Sequence, residues 1–481
     1  MRGTVTIAPG GRADVPVSFT LPGRAGRYTL AAEFRFADGV TQRDAFALDA
    51  RAPVATPTVK NLLVYDPKGL TAQELKRLGI AAAPTDLADM PPDGASLVIG
   101  REALTRDLLD RVLVPAARRK CRILVFEQDK TTLESLGFRV QAYGLRQAFP
   151  RFADWALGFA LTADDLRDWC GESTLLPPYL TNVPETEANY RSDTWAGFRN
   201  TRVWRCRLRG AVASVIPEKP SVGDWRALCD GGFDLQYAPL LDWRIEQGCI
   251  TFCQLDVTGR TAADPVADDL VRRLVARLAQ PLGWPKWPRA IGQRAWIAGR
   301  DRLIGIKQNP DERDSGVYVV SSGAERPADF FDQIARGGRA LCLGLTAVEV
   351  KAWSPAPLAV AETNGCYASR VEKIPPELNG LSNADWSWHG AMDFAAFTDR
   401  VPDGNSALRV VRHGKGWILF WQVPPWKIDA EAKPYLRTSR RRAEAMLARL
   451  FGNLGCVSLV GSVLYSDTPV PEDDPYRYYR W

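Results

Sequence analysis

Histidine is nearly absent from this chain, with only His389 and His413 among 481 residues. A histidine base, a histidine metal ligand or a Ser-His-Asp triad therefore has few candidates, which excludes most hydrolase and metalloenzyme templates. The nine cysteines are odd in number and contain no Cys-x-x-Cys, so they indicate neither a complete disulfide framework nor a thiolate zinc site. We expect no metal and no cofactor.

Long apolar runs are also missing from the sequence. The longest, such as residues 457–463, are far shorter than the roughly 20 residues of a membrane span, and no signal peptide is visible before Thr4. The net charge of +6, from 62 basic and 56 acidic residues, includes no concentrated basic arm, so neither nucleic acid nor a membrane is an expected partner. The sequence predicts a soluble protein, cytoplasmic as it stands and periplasmic or secreted if it belongs to a longer parent.

What is present is an ordinary globular composition, 46% hydrophobic and 25% charged, over a length typical of about three domains. Residues 4–50 alternate as about four short strands separated by Pro-Gly, Gly-Gly and Asp-Gly turns. An immunoglobulin-like sandwich needs about seven strands. We therefore predict that residues 1–50 are a partial immunoglobulin-like β-sandwich whose first half is missing or is supplied by something else, followed by a linker rich in Pro and Ala over residues 51–58.

From residue 59 the pattern changes to strands that alternate with helices. Buried strands are predicted at 61–65, 96–100 and 121–126, and helices at 71–78 and 104–117. This alternation favours a parallel sheet with helices on both faces. The predicted fold of residues 59–283 is a doubly wound α/β domain.

An internal repeat extends this organisation to the second half of the chain. The segment Gly-Cys-Ile-Thr-Phe-Cys-Gln-Leu at 248–255 matches Gly-Trp-Ile-Leu-Phe-Trp-Gln-Val at 416–423, and an Arg-rich helix follows each. We predict a second α/β domain of the same type over residues 290–465, with a linker at 284–289. The tail at 466–481 is acidic and aromatic, and we expect it to dock on its own chain or on a partner domain.

These features resemble the C-terminal regions of large bacterial proteins related to glycoside hydrolase family 2, the group of the β-galactosidases. The resemblance rests on the tandem arrangement, the Gly-x-Ile-x-Phe-x-Gln strand, the segment Gly-Leu-Ser-Asn-Ala-Asp-Trp at 380–386 and the tail at 473–481. The individual α/β domains resemble the class I glutamine-amidotransferase fold, which also serves as a non-catalytic trimerisation domain in some β-galactosidases. The resemblance implies a carbohydrate-active parent protein and allows a homo-oligomer.

Neither chemistry implied by the resemblance finds its residues in this chain. Retaining glycosidases place two carboxylates on a (β/α)₈ barrel, with the acid/base usually after an Asn, and no Asn-Glu dipeptide occurs here. Amidotransferases need a Cys on the turn after a central strand, but the two turns read Glu-Gln-Asp at 127–129 and Leu-Thr-Ala at 345–347. We therefore expect a non-catalytic accessory or assembly portion, whose partners are carbohydrate or a catalytic barrel missing from this chain.

Weak catalytic candidates lie where predicted strands end. Glu127, Asp129 and Asp256 follow such strands, at whose carboxyl ends ligands bind in open α/β sheets, and Arg260 is close to Asp256 in sequence. An autonomous glycosidase that uses these acids is one alternative function. Helix capping and exposed ion pairs are the other interpretation, favoured by the second repeat, which has Leu345 where Glu127 stands.

A candidate sugar contact lies in one loop of the second domain. Asn383 and Asp385 could bind hydroxyl groups, and Trp386 and Trp388 could stack on the C–H faces of a sugar, with His389 beside them. A stand-alone carbohydrate-binding protein is therefore the other alternative function. The same residues could instead plug a sheet edge with their tryptophans or face the missing barrel.

Arginines crowd the helix that follows each repeat strand. Arg437 and residues 440–442 lie on the second such helix, and Arg272, Arg273 and Arg277 lie on the first. Runs of this kind typically form a solvated helix face. We expect that role here in preference to a site for phosphate or acidic polysaccharide.

Overall fold

A computed structural model describes residues 3–20, 23–151, 161–175, 193–195, 198–200, 209–280, 296–298, 316–368, 370–430, 432–455, 463 and 465. The predicted tail at 466–481 and the predicted linker at 284–289 lie outside these residues. The chain divides into two compact units, Met1–Ala55 and Thr56–Trp481. None of the helices within the described ranges has the length and apolar character needed to cross a bilayer.

The first unit contains one antiparallel hairpin in its described part. Strands β1 (Gly26–Arg35) and β2 (Thr41–Ala50) pair over their whole length. The cross-strand pair of Leu30 and Phe46 marks an apolar face, and both side chains are exposed. The further strands expected between residues 4 and 19 are a wrong prediction for the described residues 3–20, which are exposed and make no ladder. Apolar alternation forms a strand only where a neighbouring strand completes its hydrogen bonds.

The second unit opens with a half built around one large sheet. Its elements in chain order are β3 (Leu62–Tyr65), α1 (Leu70–Arg77), β4 (Ala83–Pro84), β5 (Ser96–Ile99), α2 (Arg106–Leu108), a π-helical turn (Leu109–Leu113), α3 (Val114–Arg118), β6 (Arg122–Val125), α4 (Lys130–Ser135), β7 (Val140–Leu145), β8 (Phe149–Pro150), β9 (Trp169–Glu172), β10 (Asp193–Trp195), β11 (Phe198–Asn200), β12 (Arg209–Gly210), β13 (Ala213–Pro217), β14 (Trp225–Gly231), a 3₁₀ turn (Phe233–Leu235), β15 (Tyr237–Ile245), β16 (Gly248–Cys253) and α5 (Pro265–Arg277). The sheet order is β4-β3-β5-β6-β16-β15-β14-β8. Its first five strands run parallel and the last three add antiparallel pairings.

The other half of this unit has a smaller sheet of related design. Its elements are β17 (Trp296–Ala298), β18 (Val317–Ser321), α6 (Phe330–Ala335), β19 (Arg339–Leu343), α7 (Ala347–Ala352), β20 (Val360–Tyr367), β21 (Ser387–Phe397), β22 (Leu408–His413), β23 (Gly416–Trp421) and α8 (Arg437–Leu454), with 3₁₀ turns at Pro376–Leu378, Pro425–Lys427 and Pro434–Leu436. The sheet order is β17-β18-β19-β23-β22, with only β22 antiparallel. Strands β20 and β21 form a separate hairpin.

Both sheets pack on two faces, because apolar residues of their central strands point alternately to either side. In β6, Ile123 and Val125 pack in one core with the helices α3 and α4, while Leu124 packs in another with α1 and α5. In β23, Leu419 faces α8, and Phe420 faces α6 and α7. Burial on both faces explains why these strands read as continuous hydrophobic runs. The assignment of either half to the amidotransferase-like fold and the domain bounds stay predictions.

The glycine that opens each repeat strand has a packing function. A Cβ on Gly248 would lie 2.1 Å from the Ala117 carbonyl oxygen, and one on Gly416 would lie 2.0 Å from the Gly338 carbonyl oxygen. Real Cβ atoms do not approach backbone so closely, so any other residue would force the helix-to-strand connection apart. Glycine therefore opens the repeat motif in both halves because the strand backbone lies directly against the backbone of a preceding segment.

Candidate functional site

Glu127 follows β6 at the carboxyl edge of the large sheet and is fully buried. Its Oε1 accepts hydrogen bonds from the main-chain N–H groups of Val257 and Thr258, at 2.5 and 2.6 Å. Its Oε2 accepts a 2.8 Å bond from the Thr258 hydroxyl. The loop after β16 thus wraps the carboxylate with donors of the chain itself.

Asp256 lies in that same loop and is also fully buried. Its oxygens accept from the Thr174 hydroxyl at 2.6 Å, the Thr174 N–H at 3.1 Å and the Ser214 hydroxyl at 3.2 Å. Arg260 lies 3.5 Å from Asp256, but its guanidinium also donates to main-chain carbonyls, among them those of Trp169 and Cys170 at 3.1 and 2.8 Å. The structure therefore brings Glu127, Asp256 and Arg260 into one region, inside the protein and saturated with internal hydrogen bonds.

The environment of Glu127 changes its acidity. Burial raises the pKa of this carboxyl from 4.5 to about 7, with a further rise from the nearby charge of Asp256. The hydrogen bonds from Thr258 oppose the rise because they stabilise the ionised form. One carboxyl group that titrates near neutral pH beside a second acid is an arrangement found in acid/base sites and in buried structural pairs alike.

Asp129 has a structural task that its position explains. Its side chain accepts a 2.7 Å hydrogen bond from the Thr132 N–H and caps α4. Helix capping is the alternative to a catalytic role that the sequence predicts for this residue. Thr346 caps α7 in the same way. Aligning these two caps corrects the match between the repeats, because Gly344 and not Leu345 then stands at the level of Glu127. The pairing of Leu343 with Trp421 gives the same alignment.

The strand thiols lie in the core. Cys121 and Cys342 are buried, and burial raises the pKa of both thiols. A thiol in such surroundings is a weak nucleophile because the thiolate is the reactive form. Within the part of the chain that the structure describes, no three His, Cys, Asp or Glu side chains converge as metal ligands would.

The loop proposed to hold a sugar is folded into the hydrophobic core between the smaller sheet and α8. Trp386 and Trp388 are 3% and 7% exposed. The indole N–H of Trp386 donates to Asn383 Oδ1 at 3.0 Å, and that of Trp388 donates to the Gly365 carbonyl at 3.2 Å. Asn383 also accepts a hydrogen bond from the Val371 N–H and donates one from its amide to the Val371 carbonyl. The expected stacking platform is thus not formed by these two rings, since their faces pack against protein.

Asp385 belongs to a cluster of four buried charges that joins the two halves of the second unit. Arg151 contacts both Asp385 and Asp230, the latter at 2.7 Å. Lys219 lies 2.6 Å from Asp230 and 3.8 Å from Asp385. Burial alone would raise the pKa of Asp385, but Arg151 and Lys219 outweigh it and hold that pKa below its usual range. Two acids and two bases balance, and Asp385 is engaged by protein groups rather than open to a sugar.

His389 and the arginines of α8 extend this junction. His389 is half exposed, with Nε2 2.9 Å from Asp234 Oδ2. Arg442 is buried, lies 2.7 Å from Asp234 and donates to the Ser387 carbonyl. Arg449 is buried against Asp224 at 2.7 Å. The expectation of a solvated arginine face is therefore wrong for this side of α8, since its bases meet acids of the first half.

The first arginine helix behaves in the same way at one position. Arg277 of α5 donates to Asp242 at 2.9 Å, and Arg226 lies 2.9 Å from the same carboxylate. Burial opposes ionisation of Asp242, but the two guanidinium groups lower its pKa to about 2. Sequence reasoning missed this acid, although a charged residue inside the apolar strand β15 is the signal that would have found it.

No protein-family profile and no curated protein matches the chain. Among solved structures, it is similar to the exo-β-1,4-mannosidase Op5Man5 from Opitutaceae bacterium strain TAV5, with 13% sequence identity and a TM-score of 0.25. The match covers 46% of this chain and 36% of that chain, so it spans little more than a third of the mannosidase. A TM-score of this size supports no conclusion about shared fold or function.

Proposed function

We propose that this chain is a non-catalytic accessory or assembly portion of a carbohydrate-active protein related to glycoside hydrolase family 2. In this proposal the hydrolysis of glycosidic bonds belongs to a barrel outside the present sequence. The chain supplies a scaffold of two α/β halves held together by buried charges. Its resemblance to the C-terminal regions of such proteins motivates the assignment to carbohydrate metabolism.

The observation that carries the proposal is the state of the two strand-end acids. Glu127 and Asp256 are both completely buried, and three donors of the chain itself approach each carboxyl group. A general acid or a nucleophile must reach the glycosidic oxygen or the anomeric carbon of a substrate. Carboxyl groups used to join a loop to a sheet edge instead serve the scaffold.

A specific observation favours one competing function. The pKa of Glu127, raised to about 7 by burial and by Asp256, is the property of a general acid that protonates a leaving group. An autonomous glycosidase would need the loop containing Val257 and Thr258 to move aside and admit a sugar. The glycosidase and the scaffold both depend on Glu127 and Asp256, so the structure of these residues does not distinguish the two functions. A measurement of catalytic activity does.

The deciding experiment measures release of 4-nitrophenol from aryl β-mannoside, β-galactoside and β-glucoside by the intact chain. We expect no release above the buffer rate, for the wild type and for Glu127→Gln alike. Glu134→Gln, an exposed glutamate of the adjacent helix, is the matched control. Turnover that disappears in Glu127→Gln and persists in Glu134→Gln would refute the scaffold and establish the glycosidase.

A further inference from the structure

The carboxyl edge of the second sheet holds a polar side chain that has no hydrogen-bond partner in the described part of the chain. Strands β18, β19 and β23 end level with one another, because Ser321 pairs with Leu343 and Leu343 pairs with Trp421. The residue after Trp421 is Gln422, whose side chain is fully buried, and neither its amide oxygen nor its amide nitrogen has a hydrogen-bond partner among the described residues. A buried amide without hydrogen-bond partners destabilises the folded chain, because it has lost its bonds to water and gained none in return.

The first repeat shows what this amide does when it is satisfied. Gln254, the residue equivalent to Gln422, accepts from the Gln128 N–H at 2.8 Å and donates to the Gln128 carbonyl at 2.9 Å. It also donates to the Val215 carbonyl at 2.8 Å. Gln422 makes none of the corresponding hydrogen bonds to residues that the structure describes. The second repeat therefore keeps a donor and an acceptor at the edge where open α/β sheets bind ligands.

A half-buried lysine lies beside this position. A Cβ added to Gly344, which is level with Gln422, would meet Lys427 Cε at 3.2 Å and Pro424 Cγ at 3.0 Å, so Lys427 lies against that rung of the sheet. Its ammonium donates a long 3.4 Å bond to the Asp393 carbonyl. Burial lowers the pKa of Lys427, and the negative charges of Glu362 and Asp393 partly oppose that shift.

The hairpin of β20 and β21 supplies acceptors next to this lysine. Glu362 uses Oε1 to accept a 2.8 Å bond from the Ala347 N–H. Asp393 uses Oδ1 to accept a 2.7 Å bond from the Asn364 amide. The other oxygen of each carboxylate accepts no hydrogen bond from the residues described, and Glu362, Asn364 and Asp393 are exposed. The surface end of the site is therefore open to a ligand.

We propose that Gln422, Lys427, Glu362, Asp393 and Asn364 form a binding site for one neutral, hydroxyl-rich unit such as a single sugar residue. An anion would meet two carboxylates, and a cation would meet the lysine. Hydroxyl groups donate to carboxylates and accept from ammonium and amide groups, so they satisfy both kinds of partner. The choice of a sugar rests on the proposed function in carbohydrate metabolism.

Titration calorimetry of the intact chain with the methyl β-glycosides of mannose, glucose and galactose tests this site. We expect saturable binding of at least one glycoside in the millimolar range, weakened at least about tenfold by Lys427→Met and by Glu362→Gln. Lys415→Met removes an exposed lysine at the opposite edge of the sheet and should leave binding unchanged. Gln422→Leu should weaken binding without lowering the unfolding temperature, because it removes an unpaired amide.

Three outcomes would overturn the site. They are an absence of saturable binding for all three glycosides, unchanged affinity in both folded variants at Lys427 and Glu362, and a crystal structure in saturating glycoside with only water on Gln422. Glu362→Gln, at an exposed position, keeps the test available if Lys427→Met does not fold. Release of 4-nitrophenol would refute the proposed scaffold function and leave this binding measurement unaffected, so the two failures are distinguishable.

Discussion

Replacing Glu127 by Gln should make the protein more stable at alkaline pH. Both N–H donors of the loop point at one oxygen of Glu127, and only the Thr258 hydroxyl points at the other. A glutamine keeps the first oxygen and presents an amide N–H to the hydroxyl, which can turn and accept it. The substitution therefore preserves the hydrogen bonds and removes a buried charge.

The magnitude follows from the pKa of Glu127. Because this pKa is raised in the folded chain, from 4.5 to about 7, the unfolded chain loses its proton first as the pH rises. The contribution of the Glu127 carboxyl to the free energy of unfolding is complete below pH 4.5, and it is lost as the pH rises through about 7. At about 1.4 kcal/mol per pH unit, the loss for the wild type amounts to about 3 kcal/mol. Glu127→Gln does not titrate and should show none of it.

Urea unfolding followed by tryptophan fluorescence, at pH values from 5 to 8, measures this difference. The free energy of unfolding of Glu127→Gln minus that of the wild type should rise by about 2–3 kcal/mol across the range. Glu134→Gln, exposed on α4, should give a nearly flat difference. A difference for Glu127→Gln that stays constant, or falls toward pH 8, would show that its donors hold the carboxylate ionised and would refute the reasoning.

Two further predictions concern buried groups. Asp385→Asn should lower the free energy of unfolding by about 3–5 kcal/mol, since it leaves Arg151 and Lys219 to share one carboxylate; a loss below about 1 kcal/mol in urea unfolding would show that the cluster contributes little. In the native protein a thiol reagent should modify the exposed Cys366 and spare Cys342, whose pKa is raised by burial; peptide mass mapping reads this out, and equal labelling would contradict the buried position.

Much of the local structure could be predicted because it depends on nearby sequence. The apolar runs that became β6 and β23, and the placing of Glu127 and Asp256 just after strands, follow from patterns a few residues long. The strands expected between residues 4 and 19 were not found in the described part, because pairing depends on a neighbour that local alternation does not specify. Domain bounds and fold family remain predictions for the same reason.

The failures at the candidate sites share a physical cause. A tryptophan in a polar loop can stack on a sugar or fill a core, and only packing decides that Trp386 and Trp388 fill a core. The arginines of α8 looked solvated because their acidic partners, such as Asp224 and Asp234, lie more than 200 positions earlier. Helix periodicity detects partners three or four residues away and nothing more distant.

The buried charges at the junction make the two repeats complementary and therefore not interchangeable. The first half contributes Arg151 and Asp224 to this surface, and the second contributes Asp385 and Arg449. A chain assembled from two copies of either half would lack one member of each ion pair. Its buried interface would then contain like charges or unpaired charged side chains. Similar sequence motifs thus mask an obligate asymmetry, in which each half is the specific counterpart of the other.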